Sequence, residues 1–147
     1  MNVSKALESR SAVRAYLDKP VPADLLEEIL VAAARSPSGG NLQPWNVWAL
    51  TGDHLNRFKA TVAERAQANP MGEGTEYKIY PDNLAEPYRT RRFKNGEDLY
   101  RSLNIPREDK AARLGQFAKN FGFFGAPVGL IFTINRQMEP GQWAVSS

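Results

Sequence analysis

The apolar run Val128 to Ile134, entered through Gly125-Ala126-Pro127, most constrains what this chain folds into. Its β-branched and aromatic residues behind a turn-forming entry make it the clearest strand in the chain. A second short run, Asn46 to Thr51, carries Val47, Trp48 and Leu50 between Pro44 and Gly52-Asp53, and predicts a buried strand. The remaining apolar residues follow helical spacing. Leu25, Leu26, Ile29, Leu30 and Ala33 line one face of a helix reaching Arg35, with Asp24 in a first turn where a carboxylate suits the helix dipole. Val3 to Ser9 predicts a short amphipathic helix with Val3, Ala6 and Leu7 on one face. Asp53 caps a third helix reaching toward Asn69, whose inner face carries Leu55, Phe58, Val62 and Ala66. Two more helices, Arg89 to Leu103 and Arg107 to Phe121, flank Asn104-Ile105-Pro106, the second with Leu114, Phe117, Ala118 and Phe121 on one side. Helices alternating with short strands predict a layered α+β (or α/β) domain spanning residues 1–147. Pro70 to Pro87 is a long connection of low regularity, and loops of that length in compact domains are usually functional or disordered, so the region of about residues 70–106 is a candidate lid or insertion.

Composition removes whole classes of chemistry. The chain has 147 residues, 42% of them hydrophobic, which suffices for one folded core. It has no cysteine, which excludes disulfides, zinc–thiolate sites, iron–sulfur clusters and a thiol nucleophile. Its single histidine, His54, cannot form a multi-imidazole metal site and fits an exposed position in the first turn of a helix. No metal site is expected. Any redox chemistry must come from a bound cofactor. The net charge of +3, with basic and acidic residues interspersed, does not call for nucleic acid. No apolar stretch reaches the roughly 18 to 20 residues of a membrane span, and the N-terminus lacks a secretory pattern, so cytoplasmic residence is the expectation.

Two segments carry chemistry. Arg10-Ser11-Ala12-Val13-Arg14 sets two guanidinium groups four residues apart, and on a helix or tight turn they would converge on one anion with paired hydrogen bonds. The bland alternative is two solvated arginines near a helix end. Pro37-Ser38-Gly39-Gly40-Asn41-Leu42-Gln43-Pro44-Trp45 breaks the second helix with a glycine pair that allows close approach of a planar ligand. Ser38, Asn41 and Gln43 supply donors and acceptors suited to a ring of alternating carbonyls and nitrogens. A helix-terminal glycine explains Gly39 or Gly40 but not the whole string.

The string from Ser36 to Trp45 resembles the characteristic loop of the FMN-dependent nitroreductase family, and Arg10 to Arg14 upstream is similar to that family's phosphate-binding Arg-x-Ser-x-Arg pattern. The family serine commonly stands midway between the arginines; here Ala12 holds that place, so Ser11 carries over only through its backbone. The resemblance implies a nitroreductase-like fold, a central, mainly antiparallel sheet flanked by helices. It also implies that Arg10 and Arg14 hold the FMN phosphate. Pro37, Ser38, Gly39, Asn41 and Gln43 would border the flavin from the neighbouring subunit of a homodimer. The implied activity is transfer of electrons from NAD(P)H through FMN to a nitroaromatic, quinone or similar small acceptor in a ping-pong cycle, with no side chain as catalytic base.

Two further stretches resemble one branch of the family. Glu86-Pro87-Tyr88-Arg89-Thr90-Arg91-Arg92 fits a solvated helix start, a nucleic-acid surface, or an insertion walling the substrate pocket. Lys119 to Pro127 holds Asn120, a candidate flavin contact, and Phe123 and Phe124, aromatic residues expected in a core or stacked on an aromatic substrate. Met138-Glu139-Pro140-Gly141-Gln142-Trp143-Ala144 is similar to the start of a long family helix at the dimer interface, beyond which family members continue. If 147 residues are the whole molecule, weak FMN binding and reduced stability are expected. The alternative is then a non-catalytic basic binding module on part of the same fold.

Overall fold

The computed structural model describes residues 2–70, 72–75, 78 and 80–139. The helix expected to begin at Met138–Ala144 lies, from Pro140 onward, outside the described residues. The elements in chain order are α1 (Val3–Ser9), α2 (Ala23–Ala33), β1 (Trp45–Thr51), α3 (Gly52–Ala68), α4 (Tyr88–Ser102), α5 (Lys110–Ala118) and β2 (Val128–Ile134). They divide into two compact units, residues 1–59 with 123–147 and residues 60–122. The region of residues 70–106 falls in the second.

In the first unit β1 and β2 pair antiparallel, from Trp45 opposite Ile134 to Thr51 opposite Val128. Antiparallel pairing places same-face side chains opposite one another, and the Trp48 indole adds a diagonal hydrogen bond to Thr133 Oγ1 at 3.3 Å. The α3 helix starts where Gly52 takes a left-handed turn (φ 50°) directly after β1. Of the face read from its sequence, Leu55 is buried and Phe58, Val62 and Ala66 are half-buried. The periodicity therefore named the inner side of this helix correctly. His54 is exposed in the first turn, as expected, within hydrogen-bond distance of Arg57 Nη2.

Gly129 explains how closely Leu55 approaches the sheet. A Cβ at Gly129 would meet Leu55 Cδ1 at 3.0 Å and the Phe123 ring at 3.0 Å. The missing side chain is thus the space that these two residues fill, and Phe123 continues the cluster to Phe58, ring centroids 5.9 Å apart. Lys59, one helical turn after Leu55, donates from Nζ to the Ala126 carbonyl at 3.0 Å. Beyond this cluster many apolar side chains stay uncovered, among them Leu7, Ile29, Trp48 and Phe132. The apolar face of α1 and, apart from the half-buried Leu26 and Leu30, that of α2 consequently lack a cover among the described residues, and β1, expected as a buried strand, is largely exposed for the same reason.

In the second unit Arg113 joins α4 to α5. Its guanidinium donates to both Glu97 carboxylate oxygens, at 2.7 and 3.0 Å, lies 4.2 Å from the Tyr100 ring centroid, and bonds the Pro106 carbonyl through Nε. This changes the expected packing of α5. Leu114, Phe117 and Phe121 are exposed, while Ala112, Arg113 and Gln116 are covered. The bidentate pair orients α5 by its polar side, an arrangement that apolar spacing does not register. The helix is also shorter than expected: Asp109 accepts from the Ala112 N–H and starts it there, and it ends at Ala118.

The Arg113 guanidinium, chiefly through its hydrogen bonds, holds the Glu97 carboxyl below its usual range. A lowered carboxyl pKa gives stabilisation that is present above the ordinary glutamate value and lost as pH falls through the depressed one. Wild type should therefore be more stable than Glu97→Gln in urea denaturation at neutral pH, and the difference should close in acid, below the ordinary glutamate range. A pH-independent difference would contradict this.

Candidate functional site

The first arginine segment takes its geometry from the end of α1. Asn2 caps the start by accepting from the Lys5 N–H, and after seven helical residues the chain leaves the helix at Arg10, whose backbone is extended (φ −63°, ψ 126°). Residues 10–17 form neither helix nor strand. The expected helical or tight-turn convergence of the two arginines is thereby corrected: Arg10 and Arg14 stand on irregular chain, where a separation of four residues spans up to about 13 Å. Both are exposed. Arg14 donates weakly to the Ala12 carbonyl at 3.5 Å and lies over the Phe124 ring, 6.0 Å from its centroid. Among the described residues neither guanidinium has a carboxylate partner, which leaves their charge available to an external anion.

The loop after α2 is folded by its own backbone. Gly39–Asn41 make a single 3-10 turn in which Gly40 has φ 60°, and Asn41 and Gln43 also adopt positive φ, at 53° and 48°. Glycine and asparagine tolerate this region, whereas a glutamine there is strained and must be held. Ser38 does much of the holding: its carbonyl accepts from the Asn41 N–H at 2.9 Å and its Oγ from the Gln43 N–H at 2.9 Å. The Ser38 hydroxyl hydrogen remains to be donated outward. The side-chain amides of Asn41 and Gln43 are exposed and have no partner among the described residues. A flavin ring needs in-plane donors and acceptors of this kind, and a phosphate needs unpaired guanidinium groups, so the residues of the first unit fit FMN.

No hydrogen bond, ion pair or ring contact joins the two segments among the described residues. Arg14 meets Phe124 instead, and the loop closes on itself. Asn120 belongs to the second unit and donates through Nδ2 to the Phe117 carbonyl at 2.7 Å, capping the end of α5. Phe123 and Phe124 part company: the former packs in the core of the first unit, the latter faces Arg14. That contact was not legible in the sequence, although the glycines at 122 and 125 mark the turn that creates it.

A model of the nitroreductase family matches residues 7–146. The chain belongs to this family. Among curated nitroreductase-family relatives, nitrobenzene nitroreductase of Ectopseudomonas oleovorans is 39% identical over 142 residues, covering 97% of this chain and 61% of that protein. The 4-nitrobenzoate reductase of Pseudomonas putida is 40% identical over 135 residues, covering 92% of this chain and 58% of that protein. Among solved structures, the FMN and NADPH-dependent nitroreductase NfnB from a sphigopyxis sp. (strain HMH) superposes with a TM-score of 0.91 at 46% identity, covering 98% of this chain and 65% of that one. The chain thus has the nitroreductase-like α+β fold and spans about three fifths of the length of the curated relatives it matches.

Proposed function

We propose that this chain binds FMN and acts as an oxidoreductase that takes electrons from NADPH and delivers them to a nitroaromatic or quinone-like acceptor. The observation that carries this reading is the pair of exposed guanidinium groups at Arg10 and Arg14, without carboxylate partners among the described residues, upstream of the self-folded loop from Pro37 to Trp45. Nitrobenzene and 4-nitrobenzoate in the names of the two curated relatives support an aromatic nitro compound as acceptor, and the solved relative supports FMN and NADPH.

Within this reading Arg10 and Arg14 bind the phosphate, assisted by the backbone at Ser11. Ser38, Asn41 and Gln43 orient the ring by donating and accepting in its plane, and Pro37 and Gly39 shape the border along which it lies. FMN held there would supply the electron transfer between NADPH and the acceptor, the two binding in turn in a ping-pong cycle. No side chain is required to take up a proton from carbon. In this reading the loop of one copy serves the arginines of a second, in a homodimer. The uncovered apolar side chains of α1, α2 and the sheet support such a partner.

The test is a visible spectrum of the purified chain supplied with FMN. Under anaerobic conditions NADPH should bleach protein-bound flavin, and nitrobenzene should restore the colour. A folded chain that NADPH leaves fully oxidised contradicts the proposed activity.

A further inference from the structure

Arg14 is exposed and its chain is irregular, so something other than secondary structure must aim its guanidinium. Besides its weak local bond to the Ala12 carbonyl at 3.5 Å, it meets Phe124, and Phe124 is held in a conformation that bulky side chains rarely adopt. Phe123, Phe124 and Gly125 have consecutive positive φ values of 53°, 53° and 80°. Only the glycine takes this without strain, and strain of this kind persists only where the surroundings over-determine it. Both sides of the turn are fixed. On one side the Phe123 ring fills the space above Gly129 and packs on Phe58; on the other the Ala126 carbonyl is bound by Lys59 Nζ at 3.0 Å, and Ala126 is buried. What the turn presents is the Phe124 ring, with the Arg14 guanidinium 6.0 Å from its centroid.

We infer that Phe124 is a positioning residue for Arg14, its ring steadying the guanidinium so that the N–H groups point outward to a phosphate. The inference rests on the FMN reading above and adds to it a contact from a distant part of the chain. A ring face attracts a cation through its quadrupole and uses none of the N–H groups, so the guanidinium is ordered without losing donors. A carboxylate in the same place would order Arg14 but neutralise it and occupy the donors that the phosphate needs.

Riboflavin, which lacks the phosphate, provides the readout that a merely structural role would not move. The full chain, Phe124→Leu, Phe124→Tyr, Arg14→Ala and the double variant Phe124→Leu with Arg14→Ala are titrated with FMN and with riboflavin by fluorescence quenching. Leucine keeps apolar bulk but lacks the ring face. Phe124→Leu is expected to weaken FMN roughly two- to fivefold, the span of an exposed cation–π contact, and to leave riboflavin unchanged. Phe124→Tyr should bind FMN as wild type does, and adding Phe124→Leu to Arg14→Ala should cost nothing more. Equal losses for FMN and riboflavin, or a loss that persists without Arg14, would overturn the inference. If Arg14→Ala weakens FMN but Phe124→Leu does not, the positioning role fails while the phosphate assignment stands. If Arg14→Ala leaves FMN affinity intact, or the chain binds neither flavin, both fall.

Discussion

Replacing Arg10 and Arg14 together with alanine is expected to weaken FMN binding by about a hundredfold or more, while riboflavin affinity stays within roughly twofold of wild type. Hydrogen bonds to a charged group contribute about 1.5 to 3 kcal/mol each, so losing one such bond at each arginine corresponds to at least about 3 kcal/mol. Both side chains are exposed on irregular chain, which makes the substitution structurally mild. The urea midpoint of the double variant should therefore match wild type. Isothermal titration with the two flavins checks the prediction, and a loss of affinity common to both would assign the arginines to folding or to general electrostatics. Single variants should show intermediate losses, since two guanidinium groups on a non-helical segment reach the anion independently.

The second large effect concerns stability. Leu55→Ala is expected to destabilise the chain by about 2 to 5 kcal/mol, as truncation of a fully buried leucine commonly does. Leu55 is 2% exposed and joins α3 to β2 above Gly129, where Phe123 shares the same space. Few described apolar residues are buried as deeply, so neighbours have little with which to refill the cavity. For comparison, the net stability of a domain is about 5 to 15 kcal/mol, and this one change would remove a large part of it. Urea denaturation measures the shift. A loss below about 1 kcal/mol would mean that the cluster of Leu55, Phe58 and Phe123 is not the core of the first unit. The converse change, Gly129→Val, should also destabilise, because its side chain would enter space already filled.

How much of this was legible in the sequence varies with the kind of interaction. The α3 face could be read because its apolar residues are spaced for one side of a helix and meet apolar partners. The two strands could be read as strands, but not the pairing of Trp45 with Ile134, since nothing local specifies a partner 89 positions away. The α5 face was misread because a bidentate arginine–glutamate pair, with Tyr100 behind it, orients that helix by its polar side. At the candidate site the glycines signalled a turn in each case. They did not signal that Asn41, Gln43, Phe123 and Phe124 would share the left-handed region, because backbone strain at these residues is fixed by contacts made elsewhere: Ser38 in one loop, Lys59 and the space above Gly129 in the other. The family resemblance pointed to the arginines and the loop as candidates; the contact between Arg14 and Phe124 required the fold.

In the proposed site the first unit holds FMN by its phosphate at Arg10 and Arg14. A crystal structure of the full chain grown with FMN tests it most directly. The predicted result is the phosphate within hydrogen-bond distance of both guanidinium groups, with Phe124 stacked behind Arg14; a flavin whose phosphate lies away from both arginines would contradict the account.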